Sequence, residues 1–259
     1  MFDMFFYFII FVFGLLVGSF LNCVIYRLEQ NKSFLKGRSY CPGCKHKLSW
    51  SDLIPVLSFL ILKGKCRYCQ KPISWQYPLV EFSTAILFLS LFYRYPISII
   101  SAVNLFYLFT IFSFLIIIFV YDLKHYIIPD KVIYPAIAIV FIYNFLKSDF
   151  HLKSDFVLSA FGAALFFLII VLISRGKWMG IGDIKLAFLM GLILSWPNIL
   201  VALFLAFFLG AITGVGLIIA QKKTLKSEVP FGPFLVAGTI IALFWGKIII
   251  DWYLKYLNV

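Results

Sequence analysis

Seven apolar stretches of spanning length govern what this chain can fold into, near residues 4–26, 77–95, 98–120, 131–147, 156–174, 199–220 and 233–254. A helix needs about 20 such residues to cross the hydrocarbon core of a bilayer. A shorter apolar run lies at 184–196. In lipid the backbone must satisfy its own hydrogen bonds, so runs of this kind become helices. The expected fold is an all-α polytopic membrane protein with about eight transmembrane helices. Charge content agrees: only 13% of the residues are Asp, Glu, Lys or Arg, about half the share of a soluble domain.

Lysine and arginine placement sets the expected orientation. No basic residue precedes the first apolar stretch, and the first ones follow Tyr26. That order favours a retained first helix with its N-terminus outside. Alternation then puts 27–76, 121–130, 175–183 and 221–232 in the cytoplasm. Ten basic residues lie in the first of these, and Lys124, Lys131, Arg175, Lys177, Lys185, Lys222, Lys223 and Lys226 lie in or beside the others. The outer side keeps Arg94, Lys147, Lys153, Lys247 and Lys255. This asymmetry follows the positive-inside rule. It also accounts for the net charge of +12 by orientation and attraction to anionic membrane lipid, with no nucleic acid partner implied.

The expected organisation is a first transmembrane helix at 1–26, a cytoplasmic segment at 27–76, and a transmembrane helical bundle at 77–259. The middle segment is polar, lysine-rich and too small for an ordinary core. It holds Cys41, Cys44, Cys66 and Cys69 in a C-x2-C-x21-C-x2-C pattern. Two such turns can place four thiolates tetrahedrally around a zinc ion, and a closed four-thiolate shell is structural rather than catalytic. The gap slightly exceeds the usual range. Two disulfides are the competing reading, disfavoured by a reducing cytoplasm. Cys23 stands alone in the first helix and reads as a small buried apolar residue.

Two aspartates sit where helices meet the cytoplasmic boundary: Asp122 in YDLKHYIIPD and Asp183 in GIGDIK. A carboxyl at membrane depth is costly and by default a functional-site hypothesis. Two carboxyls brought close cannot both ionise easily, so one holds a proton while the other accepts one. That pair can activate water against an amide, the chemistry of an intramembrane aspartic protease. Each also has a structural reading: Asp183 as a helix cap after Gly180 and Gly182, Asp122 as an interfacial charge paired with Lys124. The segment from Asp122 to Pro129 is expected to form a turn. His46, His125 and His151 are scattered and match no metalloprotease pattern, and no serine-nucleophile elbow is present.

With these residues assembled, the chain resembles the bacterial type IV prepilin peptidases, also called leader peptidase/N-methyltransferases. The resemblance runs through GSFLNCVIYRL (18–28), CPGC, SDLIPVLSFLILKGKCRYC and PISWQYPLVE (41–81), DLKHYIIPD, GIGDIK, and PFGPFLVAG (230–238). Glu29 departs from the proline common after Arg-Leu in relatives. The resemblance implies cleavage of prepilins or pseudopilins after a short basic leader, at the cytoplasmic face of the bacterial inner membrane, with Asp122 and Asp183 catalytic. It also implies methylation of the new N-terminus from S-adenosylmethionine, for which the residues themselves name no binding site. A peptidase-only member is the nearest alternative. A proton-coupled transporter, or a scaffold presenting a zinc knuckle, are alternatives of other classes.

Overall fold

Nine α-helices account for most of the described residues in the computed structural model, which describes 2–33, 37–95, 99–147, 150–221 and 229–256. They are α1 (Phe2–Glu29), α2 (Leu57–Ile61), α3 (Gln76–Arg94), α4 (Ile99–His125), α5 (Asp130–Lys147), α6 (Phe150–Ser174), α7 (Ile181–Leu194), α8 (Asn198–Ile219) and α9 (Gly232–Tyr256). A 3-10 turn at Trp50–Leu53 precedes α2. The only extended pairings among the described residues are two isolated bridges, Tyr40 with Lys47 and Lys65 with Pro72. The all-α expectation holds. Among the described residues five helical stretches are long and apolar enough to cross a membrane: Met4–Glu29, Ala102–His125, Asp155–Ser174, Asn198–Ile219 and Gly232–Tyr256. Lys222, Lys223 and Lys226 of the last basic segment lie outside the described residues, as do the side chains of His151 and Lys153.

The chain divides into two compact units, Met1–Ile117 and Ile118–Val259, with α4 running from the first into the second. In the first unit α1 packs along α3 at its glycines. A Cβ on Gly14 would fall 2.6 Å from the Ala85 Cα, and one on Gly18 would fall 2.6 Å from the Glu81 Cα. Small residues of this kind let membrane helices approach to backbone contact. Phe88 and Phe109 stack at 4.1 Å between ring centres within this unit. Cys23 is half-buried rather than fully enclosed.

In the second unit α7 packs against α6, α5 and α9. Gly191 of α7 meets the Ala160 backbone of α6, with no room for a side chain. The Asn144 amide of α5 donates to the Leu192 carbonyl at 2.7 Å. Gly238 of α9 lies against the Ala202 carbonyl of α8 in the same manner. α4 is longer than its apolar run and remains helical through His125. The turn expected from Asp122 therefore begins four residues later, at Tyr126, whose φ is 58°. Asp122 stands in the last helical turn, one turn before the chain reverses.

Candidate active site

The second unit gathers three sequence motifs around α7. Gly180 caps this helix in extended backbone (φ −86°, ψ 161°), and Asp183 sits in its first turn. The Asp183 Oδ2 reaches back to accept the Gly180 amide at 3.1 Å, so the carboxyl does serve the helix terminus. Gly182 faces the first motif. A Cβ there would come within 3.2 Å of the Ile128 Cβ. Two residues past Asp183, the Lys185 ammonium donates to the Asp130 carboxylate at 2.6 Å. The same ammonium lies 5.0 Å from the centre of the Tyr134 ring. These contacts tie the α5 start to the α7 start.

Asp122 and Asp183 are 4% and 9% exposed, and Asp122 lies within electrostatic reach of Asp183. Both lie buried in the second unit, Asp122 near the end of α4 and Asp183 at the start of α7. The Asp122 Oδ2 accepts the backbone amide of Gly232 at 3.0 Å. A Cβ on Gly232 would fall 2.6 Å from that oxygen and 3.1 Å from the Asp122 Cγ. Only glycine lets the backbone come this close. In sequence Gly232 is marked only as a turn residue, a glycine between prolines in PFGPF at 230–234 before an apolar helix, which does not announce the contact with Asp122. Phe231 beside it packs with Phe207 at 5.1 Å between ring centres and with Phe167 at 6.1 Å.

The four cysteines of the first unit converge independently. Their sulfurs all lie within 4.8 Å of one another, and none is in a disulfide. The two knuckles repeat one design. In the first, the Lys45 amide donates to the Cys41 carbonyl and the Cys41 amide to the His46 carbonyl, both at 2.9 Å. In the second, the Gln70 amide donates to Cys66 at 3.0 Å and the Cys66 amide to Lys71 at 2.9 Å. Lys45 and Gln70 both take positive φ, 62° and 57°. Cys41 and Cys69 sulfurs are 3.8 Å apart. A tetrahedron with zinc–sulfur bonds of about 2.3 Å has edges of about 3.8 Å, so this donor set fits zinc. Despite burial, which pushes it up, the Cys41 thiol is brought down to about 7 by the Cys44 and Gly43 amides and neighbouring thiols. Cys69 moves the other way: the Lys71 amide lowers it, but desolvation and the Cys66, Cys44 and Cys41 thiols outweigh that and push it up to about 11. The cluster favours a thiolate at Cys41 first, and a metal would draw off the remaining protons.

Asp52, which sequence reading did not single out, locks the 3-10 turn to the second knuckle. It accepts from the Ser49 amide at 3.1 Å and hydroxyl at 2.8 Å, from Arg67 at 2.8 Å and from Tyr68 at 3.1 Å. Burial acts to raise its carboxyl, but the donors of Ser49, Arg67 and Tyr68 outweigh that and hold it below the ordinary carboxylate value.

Comparison with known proteins covers nearly the whole chain. The family model described as Bacterial Peptidase A24 N-terminal domain matches residues 12–95, and that described as Type IV leader peptidase family matches 109–215. A prepilin leader peptidase/N-methyltransferase of Bacillus subtilis (strain 168) is 34% identical over 250 residues, covering 95% of this chain and 97% of the relative. One of Legionella pneumophila is 34% identical over 279 residues, covering 97% and 96%. One of Aeromonas hydrophila is 32% identical over 276 residues, covering 95% and 93%. No solved structure matches.

Proposed function

The chain belongs to the type IV leader peptidase family, and from that premise we propose that it cleaves the leaders of type IV prepilins and pseudopilins with Asp122 and Asp183 as an aspartate pair. The observation that carries this reading is the shared burial of the two carboxyls in one unit, within electrostatic reach of each other. One oxygen of each is engaged by a backbone amide, from Gly232 and from Gly180. That leaves the second oxygen of each for the reaction. One carboxylate takes a proton from water as the water oxygen attacks the scissile carbonyl carbon. The other carboxyl, protonated, donates to the carbonyl oxygen. Collapse of the tetrahedral intermediate breaks the C–N bond, and the leaving amine takes up a proton.

The finer features of this reading are an eight-span bundle in the inner membrane, an N-terminus outside, and cleavage at the cytoplasmic face. The abundance of Lys and Arg in 27–76 supports that orientation. Cys41, Cys44, Cys66 and Cys69 would hold a structural zinc ion that fastens the cytoplasmic segment. The relatives' names pair the peptidase with an N-methyltransferase, and we assign methylation of the new N-terminus to this chain as well. S-adenosylmethionine would supply the methyl group on a sulfonium. Bound here, it would deliver that methyl to the new N-terminal amine, which would give up its proton to solvent.

The test is incubation with a model prepilin in detergent and mass measurement of both fragments, for wild type, Asp122→Asn and Asp183→Asn. Asparagine keeps shape and capping ability but removes the proton chemistry. Both variants should remain folded and lose cleavage. Wild-type rates in either would exclude the pair.

A further inference from the structure

Three acids are buried among the described residues, and the peptidase reading uses only Asp122 and Asp183. The third, Glu81, is 7% exposed and lies in the other unit, on α3. Its Oε2 accepts the Val56 amide at 2.7 Å, and the Ser19 hydroxyl of α1 lies near enough to act on the same carboxyl. Both groups are neutral, and among the described residues no cation is paired with this carboxyl. A buried carboxylate is ordinarily paired with a positive group, because neutral donors repay only part of its desolvation.

The surroundings are ordered around this acid. Gly18 brings α1 to backbone contact with Glu81 and so delivers Ser19 to it. One turn on, the buried Asn22 amide donates to the Tyr77 carbonyl at 3.0 Å and accepts from the Gln76 amide at 3.3 Å. Val56 lies in the connection between the 3-10 turn and α2, with φ 60° on a β-branched residue. That conformation is uncommon.

We propose that Glu81 is the counter-ion for an organic cation of the methyl-transfer reaction, bound in the first unit where the Val56 amide now stands. The inference rests on the methyltransferase part of the proposed function. Two cations share the required chemistry: the sulfonium of the methyl donor and the primary ammonium of the cleaved pilin. A carboxylate without a cation of its own suits either, and Asn22 and Gln76 supply neutral hydrogen-bonding groups beside it.

Equilibrium binding to the full-length protein in detergent tests this without turnover. One arm compares S-adenosylmethionine with S-adenosylhomocysteine, the neutral thioether left after methyl loss. The other compares a pilin N-terminal peptide carrying a free amine with its acetylated form. Wild type should prefer the cationic member of one pair by about tenfold or more, as a charge-assisted contact implies. Glu81→Gln should bind both members of that pair alike, Glu81→Asp should keep part of the preference, and Ser19→Ala should keep most of it. The arm that responds identifies the cation. Absence of any preference in wild type overturns the proposal, even if Glu81→Gln does not fold. Equal weakening of both members by Glu81→Gln, with the preference intact, also overturns it and makes Glu81 a structural clamp on the cytoplasmic segment. Leader cleavage by the same wild-type preparation separates the two levels of inference: its absence defeats the peptidase reading, whereas its presence without cation preference defeats only this one.

Discussion

A single missing side chain sets the geometry around Asp122. Gly232 brings its amide to 3.0 Å from the carboxyl because it has no Cβ, and a Cβ would lie 2.6 Å from the same oxygen. Gly232→Ala must therefore displace the carboxyl or the start of α9. Overpacking of this kind costs about 1–3 kcal/mol in stability, which a helical bundle survives. Misplacing a reacting group by about 1 Å costs on the order of 10²-fold in rate. The expected outcome is a folded protein whose kcat for leader cleavage falls by about that factor while KM changes little. Steady-state cleavage of a model prepilin measures both. A parallel loss of folded protein and activity, with kcat per folded molecule unchanged, would count against the role given to Gly232. The two aspartates proposed to react stand out in sequence because charge is rare here and their neighbours are apolar. Gly232 does not, because its importance is a distance of closest approach to a residue 110 positions away, and no local pattern encodes that.

At the level of elements, the cysteine-bearing segment stands apart from the helices in how it is held. Its two knuckles are short hydrogen-bonded turns with no core of their own, so the metal is expected to carry their folding free energy. Replacing any one of Cys41, Cys44, Cys66 or Cys69 by serine should release zinc, measured as one metal per chain in the parent and none in the variant. Amide exchange across 37–76 should then rise. Zinc-free protein with parental protection would overturn the structural role. Asp52 adds a pH-dependent contribution whose sign follows from its lowered carboxyl. The native form favours the carboxylate more than the unfolded chain does. Its stabilisation is complete above the unfolded value of about 3.9 and fades as pH falls through the native value. Asp52→Asn should therefore raise amide exchange in 49–69 at neutral pH, and the gap from the parent should close only in strong acid. A gap that widened on acidification would reverse the argument. The sequence announced the four-cysteine pattern but not Asp52, whose partners Arg67 and Tyr68 are 15 and 16 residues further on and meet it only once the second knuckle closes.

Across the whole molecule, the acids assigned to hydrolysis and the acid assigned to cation binding belong to different compact units. Methyl transfer to a primary amine needs no water-activating pair, because an amine with a reference pKa of about 7.7–8.0 is already a nucleophile near neutrality. Asp122→Asn and Asp183→Asn should therefore still methylate pilin supplied already cleaved, measured by transfer of labelled methyl groups. Loss of that activity in the aspartate variants, with retention in a cysteine variant, would reverse the division of labour. The all-α class was readable from apolar run lengths, but the number of spans was not: about eight were expected, and among the described residues five helices are long and apolar enough to cross a membrane. Which helices pack was not readable either, since α6, α7, α8 and α9 are apolar on most faces and their contacts depend on Gly191 and Gly238 meeting backbone across the bundle. Given the roles proposed above, the dependence of Asp122 on an amide at the first residue of the last helix has a further consequence, for biosynthesis. Everything up to α8 can enter the membrane while the site is still unfinished. Proteolytic competence then arrives only once the start of α9 has been made and has docked, and a nascent chain that stops short of Gly232 is latent.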